Sequence, residues 1–258
     1  MTRRDITPDG APCWIELFTT EPDQSRPFYC DLFGWQSQET SADYGGYVNF
    51  TKDGAMVAGS MANDGQSGAP DGWSVYLAVP DIEAAAAAVP AHGGNVMMPP
   101  MQVMELGSMA IVADPGFAAI GMWQPGTHKG IQLVAEPGAP AWFELHTRAY
   151  EPSVAFYREV FTWPAHTMSD TPEFRYTTYG EGDDALAGIM DGTGHMPEGS
   201  AGVWSIYFAV ADADEALAEI KRLGGSVRSG PDNTPFGRLA EVADPTGITF
   251  RIVAPNTD

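Results

Sequence analysis

Two glutamates, Glu16 and Glu144, sit 128 residues apart in closely matching surroundings, Trp-Ile-Glu-Leu and Trp-Phe-Glu-Leu. A carboxylate in a strand-lined hollow can act as a general base or bind a ligand hydroxyl, above all where burial raises its pKa. The same group can instead serve structure, accepting hydrogen bonds from a neighbouring strand or a tryptophan indole. His146 lies two residues past Glu144 and so on the same strand face, placed for a proton shuttle or a hydrogen-bonded rim position. Glu16, Glu144 and His146 are the candidate catalytic groups. The candidate ligand contacts are Trp14, Ser74, Tyr76, Met104, Trp142, Ser205, Tyr207 and Arg251.

Ser74 and Tyr76 alternate with Val75, so both hydroxyls face one way, and Ser205 and Tyr207 do the same around Ile206. Arg251, in an apolar run, calls for a carboxylate partner, for which Glu144 is the candidate, or for an anionic or enolic oxygen of a ligand. Met104 belongs to a run with Met97, Met98, Met101 and Met109, whose flexible thioethers suit irregular planar ligands and ordinary cores alike. The matching stretch of the second half contains no methionine, so two hollows would be lined differently. His92, His128, His166 and His195 have no ligand spacing and receive no role.

These residues repeat because the chain repeats. A shift of 128 aligns Pro12 with Pro140, Trp14 with Trp142, Leu17 with Leu145, Thr19 with Thr147, Ser25 with Ser153, Phe28-Tyr29 with Phe156-Tyr157, Phe33 with Phe161 and Trp35 with Trp163. Each copy reads as a strand and then a helix, with Ile15 and Leu17 facing the helix and Trp14, Glu16 and Phe18 facing away. Pro152 marks a helix start, whereas Pro27 falls inside its helix and should bend it. Strands are expected at 35–39, 44–51 and 55–61, then at 73–79. A helix from Asp81 to the His92-Gly93-Gly94 stop follows, with strands at 95–98, 104–112 and 117–123. The second half echoes this, through Trp204–Val210, a helix over 212–223 and a last strand over 248–253. The segment 127–140 joins the halves and carries an apolar piece expected on the other module. The expectation is an α+β protein of two modules, 11–127 and 139–254. Each is built from paired β-α-β-β-β units that form a cup-shaped mixed sheet.

Composition fits a globular protein: 44% hydrophobic and 18% charged residues over 258 positions, with no apolar run near membrane-spanning length. A formal charge of −21 argues against nucleic acid and anionic membranes as partners. The N-terminal stretch lacks a signal-peptide pattern, giving a cytoplasmic expectation. Cys13 and Cys30 are read as two buried thiols, with no disulfide required by the fold.

The tandem units, the Phe-Tyr pair on the first helix, the Gly-Gly stop on the second and the Asp-Pro turn before the last strand resemble the vicinal oxygen chelate superfamily. This group includes glyoxalase I, bleomycin-resistance proteins and extradiol dioxygenases. The runs Val57-Ala58-Gly59-Ser60-Met61 and Leu186-Ala187-Gly188-Ile189-Met190 bring it nearest the two-module actinobacterial type. The resemblance implies metal ligands on the first, fourth, fifth and eighth strands of each cup. Those places hold Trp14, Gly59, Ser74 and Gly121 in one module and Trp142, Gly188, Ser205 and Arg251 in the other, a set unsuited to a metal ion. The expectation is therefore a monomer without metal or other cofactor. It would bind a small, aromatic or apolar secondary metabolite or drug, in sequestration or as a pathway accessory. The alternative is a metal-independent lyase, isomerase or cyclase, or another glyoxalase- or dioxygenase-like enzyme, acting on such a metabolite.

Overall fold

The computed structural model describes residues 3–40 and 45–257. The first module runs β1 (Pro12–Thr19), α1 (Pro22–Phe33), β2 (Gln36–Glu39), β3 (Val48–Lys52), β4 (Ala55–Ala62), β5 (Gly72–Ala78), α2 (Ile82–Ala88), β6 (Asn95–Val103), β7 (Gly107–Ala113) and β8 (Ala119–Pro125). The second runs β9 (Pro140–Thr147), α3 (Tyr150–Val160), β10 (Ala165–Asp170), β11 (Arg175–Tyr179), β12 (Ala187–Asp191), β13 (Val203–Ala209), α4 (Ala213–Arg222), β14 (Ser226–Thr234), β15 (Gly237–Ala243) and β16 (Thr249–Ala254). The two sheets share one order, β2-β3-β4-β1-β5-β8-β7-β6 and β10-β11-β12-β9-β13-β16-β15-β14. In each, two β-α-β-β-β units meet along an antiparallel central pair, β1 with β5 and β9 with β13. This is the α+β, two-module architecture expected from the sequence.

Helix ends follow local chemistry. Asp81 and Asp212 cap α2 and α4 by accepting from the amides of Ala84 and Glu215. Pro90 cuts α2 short, and a 3-10 turn over Val89–His92 carries the chain to Gly93. The helix α1 continues through Pro27.

The modules are fastened reciprocally. Trp35, just past α1, donates through Nε1 to the carbonyl of Gly138 at 2.6 Å, and Trp163, past α3, donates to Gly10 at 2.8 Å. Both glycines have positive φ, and a Cβ on either would strike the backbone oxygen of Phe33 or Phe161. The aromatic face of α1 packs onto the second sheet, with Phe33 4.8 Å from Phe208 and Phe28 6.1 Å from Phe250. In return, Ser153 on α3 donates to Asp114 of the first module at 2.9 Å.

Four sequence expectations need correction. The joining segment packs on its own first module: Ile131 and Leu133 are buried, and the amides of Ile131 and Gln132 donate to Cys13 and Met56. The sixth strand runs on through Pro99 and Pro100 to Val103, because an edge strand with bulges tolerates missing N–H groups. Met104 therefore lies in the β6–β7 turn at φ +46, not on a strand. The eighth strand begins at Ala119, since Phe117 occupies the turn at φ +63. The expected start of the third strand at Tyr44 lies outside the described residues.

Candidate functional site

The same four-residue cluster is built at the floor of each cup. In the second module, Trp142 Nε1 donates to Tyr176 Oη at 2.9 Å and Tyr176 donates to Glu144 Oε1 at 2.6 Å. Tyr207 donates to Glu144 Oε2 at 2.6 Å. In the first, Trp14 donates to Tyr47 at 2.8 Å, and Tyr47 and Tyr76 bond Glu16. Strand register makes this possible: Gly188 and Ser205 flank Glu144, and Gly59 and Ser74 flank Glu16. Gly188 and Gly59 must lack side chains, because a Cβ there would sit about 2 Å from the hydroxyl of Tyr176 or Tyr47. Glutamate thus serves in both modules as the acceptor that anchors two tyrosines.

The modules part company around that cluster. His146 sets Nε2 2.7 Å from Glu144 Oε2, and its Nδ1 meets His195 Nε2 at 3.2 Å. Burial alone would raise the Glu144 pKa, but the bond and charge of His146, with the two tyrosines, bring it down to about 2. Glu144 is a carboxylate whose oxygens are already engaged. Burial and the Glu144 charge push both tyrosines above their ordinary range. In the first module Phe18 stands where the second has His146. There burial dominates and raises the Glu16 pKa against the tyrosine bonds.

Arg251 does not pair with Glu144. Its Nη2 meets Glu241 Oε2 at 3.0 Å, its Nη1 donates to Tyr207 Oη at 2.9 Å, and the tyrosine hydroxyl relays it to Glu144. The neighbouring strands explain the choice, since β15 sets Glu241 directly opposite Arg251. Burial disfavours the guanidinium charge, yet Tyr207, Glu144 and Glu241 hold its pKa above the ordinary value. His146, for which a rim position was one expectation, is buried at 5% exposure.

The first cup is narrowed from within. Tyr76 lies over Gly121, whose absent Cβ would fall 2.1 Å from the ring. His128, from the joining segment, inserts its ring 4.3 Å from Trp14 and 5.5 Å from Trp123. The second cup is open, with a cavity of about 1010 Å³. Its walls are largely aromatic and apolar, including Trp142, Met168, Phe174, Tyr176, Phe236 and Leu239, while Glu144, His146, His195, Tyr207 and Arg251 supply polar groups at its floor and His166 and Glu181 are among the others that line it. Phe236 is 63% exposed beside this cavity, an apolar surface that a ligand would cover.

The residues do not fit a metal. Register replaces Trp14 and Trp142 by Glu16 and Glu144 as neighbours of the fourth- and fifth-strand positions, which adds one carboxylate per cup. Each is held by tyrosine hydroxyls, and the other positions offer glycine, serine or a guanidinium. Among the described residues no group of three or more His, Cys, Asp or Glu side chains could hold a metal ion.

The candidates named from sequence thus divide. Glu144, His146, Trp142, Tyr207 and Arg251 line the second-module cavity. Trp14 and Tyr76 are buried in the first cup with Glu16 half-buried beside them, and Met104 sits on a turn. Ser74 and Ser205 stand beside the glutamates in the ladders without lining the cavity. Sequence reasoning missed Tyr176, Glu241, His195 and the Met168, Phe174 and Phe236 walls. Tyr176 was findable from its alternation on β11 facing Gly188, whereas His195 lies in a loop where no periodicity points inward.

The model of the Glyoxalase/Bleomycin resistance protein/Dioxygenase superfamily matches residues 13–119 and again 139–252. CFP32 of Mycobacterium tuberculosis (strain CDC 1551 / Oshkosh), a protein provisionally named a glyoxylase, is 35% identical over 99% of this chain and 98% of its own length. The anthracycline biosynthesis protein DnrV of Streptomyces peucetius is 34% identical, over 95% of this chain and 93% of its own. In fold the chain resembles the Mn(II)-bound glyoxalase from Novosphingobium aromaticivorans, with a TM-score of 0.67 at 15% identity, covering 95% of this chain and 82% of that one. With the family model matched in both modules and relatives aligned over nearly the whole length, the chain belongs to the glyoxalase/bleomycin resistance protein/dioxygenase superfamily.

Proposed function

We propose that the second cup binds a planar, oxygenated aromatic metabolite of several rings, without a metal ion, in a sequestering or pathway-accessory role. The observation that carries this is the cavity of about 1010 Å³, aromatic on its walls and with Arg251 among its few polar groups. That combination of size, apolar lining and sparse polar anchors is what small-molecule sites have in common. Two of the five N–H groups of Arg251 are engaged by Tyr207 and Glu241 among the described residues, and the others suit a carbonyl or phenolate oxygen. The names of DnrV and of DauV from Streptomyces sp. (strain C5), both anthracycline biosynthesis proteins, support a polycyclic aromatic ligand. A strongly acidic chain disfavours nucleic acid and anionic lipid surfaces as partners. Among the described residues no helix is long and apolar enough to cross a membrane.

Titration with 1,4-dihydroxyanthraquinone, followed by quenching of Trp142, tests this, with Trp142→Phe identifying that signal among the seven tryptophans. Saturable one-site quenching is expected, unchanged by chelator and weakened about tenfold or more in Arg251→Ala. Met168→Trp, which crowds the cavity, should abolish it. Quenching that needs an added divalent metal, or that survives Met168→Trp, would overturn the reading.

A further inference from the structure

His195 is the polar group of the second cup that links its interior to solvent. It belongs to the loop between β12 and β13 and is exposed, yet it also lines the cavity. The loop is held firmly. Arg148 Nη1 donates to the carbonyls of Thr193 at 2.9 Å and Met196 at 2.8 Å, and the amides of His195 and Met196 both donate to Gly192. Asp191 Oδ1 accepts from the amide and hydroxyl of Thr193. This frame delivers His195 Nε2 to within 3.2 Å of His146 Nδ1, with the rings at 89°.

Glu144 Oε2 stands 2.7 Å from His146 Nε2, so the proton of that contact sits on the histidine nitrogen. The 3.2 Å contact between His146 Nδ1 and His195 Nε2 holds one further proton, which either ring can carry and which rests on His195 Nε2 in the tautomer that exposes a base to the cup. In that tautomer His195 Nδ1 keeps a lone pair, and among the described residues nothing bonds it. Burial, His146 and Arg251 also lower the His195 pKa.

We propose that His195 is the acid–base residue of the second cup, and that the cup tautomerises aromatic ketones whose carbonyl oxygen lies against Arg251. This rests on the reading of the cup as an aromatic-ligand site. His195 Nδ1 takes a proton from a carbon acidified by the carbonyl, and the C–H electron pair moves through the ring system onto the oxygen. The enolate so formed is opposed by the guanidinium of Arg251. As Nδ1 is protonated, the Nε2 proton passes to His146, whose positive charge rests against Glu144. Return of a proton to carbon gives back the ketone, and return to oxygen gives the enol. No electron leaves the ligand and no co-reactant is consumed. His146 and Glu144 are positioning residues here, since both act through His195.

The test uses anthrone, a three-ring ketone with acidic ring CH₂ protons, under anaerobic conditions in D₂O. Binding is read by Trp142 quenching and exchange of the CH₂ protons by NMR. Wild-type protein is expected to speed exchange, with a rate that rises with pH through the His195 titration. His195→Gln, compared at saturating anthrone, should lose about a hundredfold in exchange rate and lose that pH limb. If anthrone binds but exchange stays at the solvent rate, or if His195→Gln exchanges like wild type, the acid–base role is wrong and the binding reading stands. If anthrone and the dihydroxyanthraquinone both fail to bind wild type, the aromatic-ligand reading falls and takes this inference with it.

Discussion

His146 Nε2 lies 2.7 Å from Glu144 Oε2, while the first module puts Phe18 at the matching place beyond Glu16. One substitution between repeats thus sends two equivalent carboxyls in opposite directions, Glu144 down to about 2 and Glu16 above its ordinary value. A carboxyl with a depressed folded pKa contributes stability that is present above its unfolded value of 4.5 and lost as pH falls toward 2. Its share is about 3 kcal/mol. Urea unfolding at several pH values should show wild type losing that much more than Glu144→Gln between pH 5 and 2. His146→Phe, which copies the first module, should flatten the acid limb as well. Parallel curves for wild type and Glu144→Gln would contradict the assignment.

Gly188, where the resemblance implied a metal ligand, lacks a side chain for a reason of packing. A Cβ at Gly188 would lie 2.0 Å from Tyr176 Oη, which is tied at once to Glu144 and Trp142 and cannot move without breaking both bonds. Gly188→Ala is expected to cost about 3 kcal/mol, from overpacking and the lost charged hydrogen bond. In a Tyr176→Ala background the same change should cost little. Equal costs in the two backgrounds would show that Tyr176 is not what excludes the side chain.

Phe117 holds a left-handed conformation, φ +63, at 76% exposure, and the second module places Gly247 at the matching turn with φ +96. A bulky residue in that region carries backbone strain on the order of 1–2 kcal/mol, and so exposed a ring recovers little by burial. Phe117→Gly should therefore stabilise the protein by about 1 kcal/mol, read as a higher urea midpoint at unchanged slope.

The fold was legible because its two halves each repeat the same periodicities and the same stop signals. Trp14 to Trp35 and Trp142 to Trp163 specify a strand, a helix and an anchoring indole without reference to the rest of the chain. The glutamates were legible for the same reason, as matching polar groups on otherwise apolar strands. What surrounds them was not, because the partners arrive from other strands through register. Glu241 reaches Arg251 across β15 and β16, and Tyr176 reaches Glu144 from β11 across β12. The narrowing of the first cup was still less legible, since one of its rings is a histidine of a connecting segment that bears no repeat.

That histidine is His128, wedged between Trp14 and Trp123 with a buried Nε2 that finds no partner among the described residues. Burial lowers its pKa from 6.5 to about 4. Between those values the unfolded chain binds a proton that the folded chain refuses, so stability rises with pH across the window and is lost as pH falls through it. The difference amounts to at most about 3 kcal/mol, and less to the extent that the ring's partial exposure relieves its desolvation. His128→Phe keeps a ring in the slot and removes both the titration and the orphaned nitrogen. It should match or exceed wild-type stability at pH 7 and lose less than wild type between pH 6.5 and 4. This window lies above that of Glu144, so the two variants should each remove a separate limb of the same pH profile. If His128→Phe instead keeps the wild-type limb, or falls well below wild type at pH 7, His128 does not stand neutral and unpaired in the first cup.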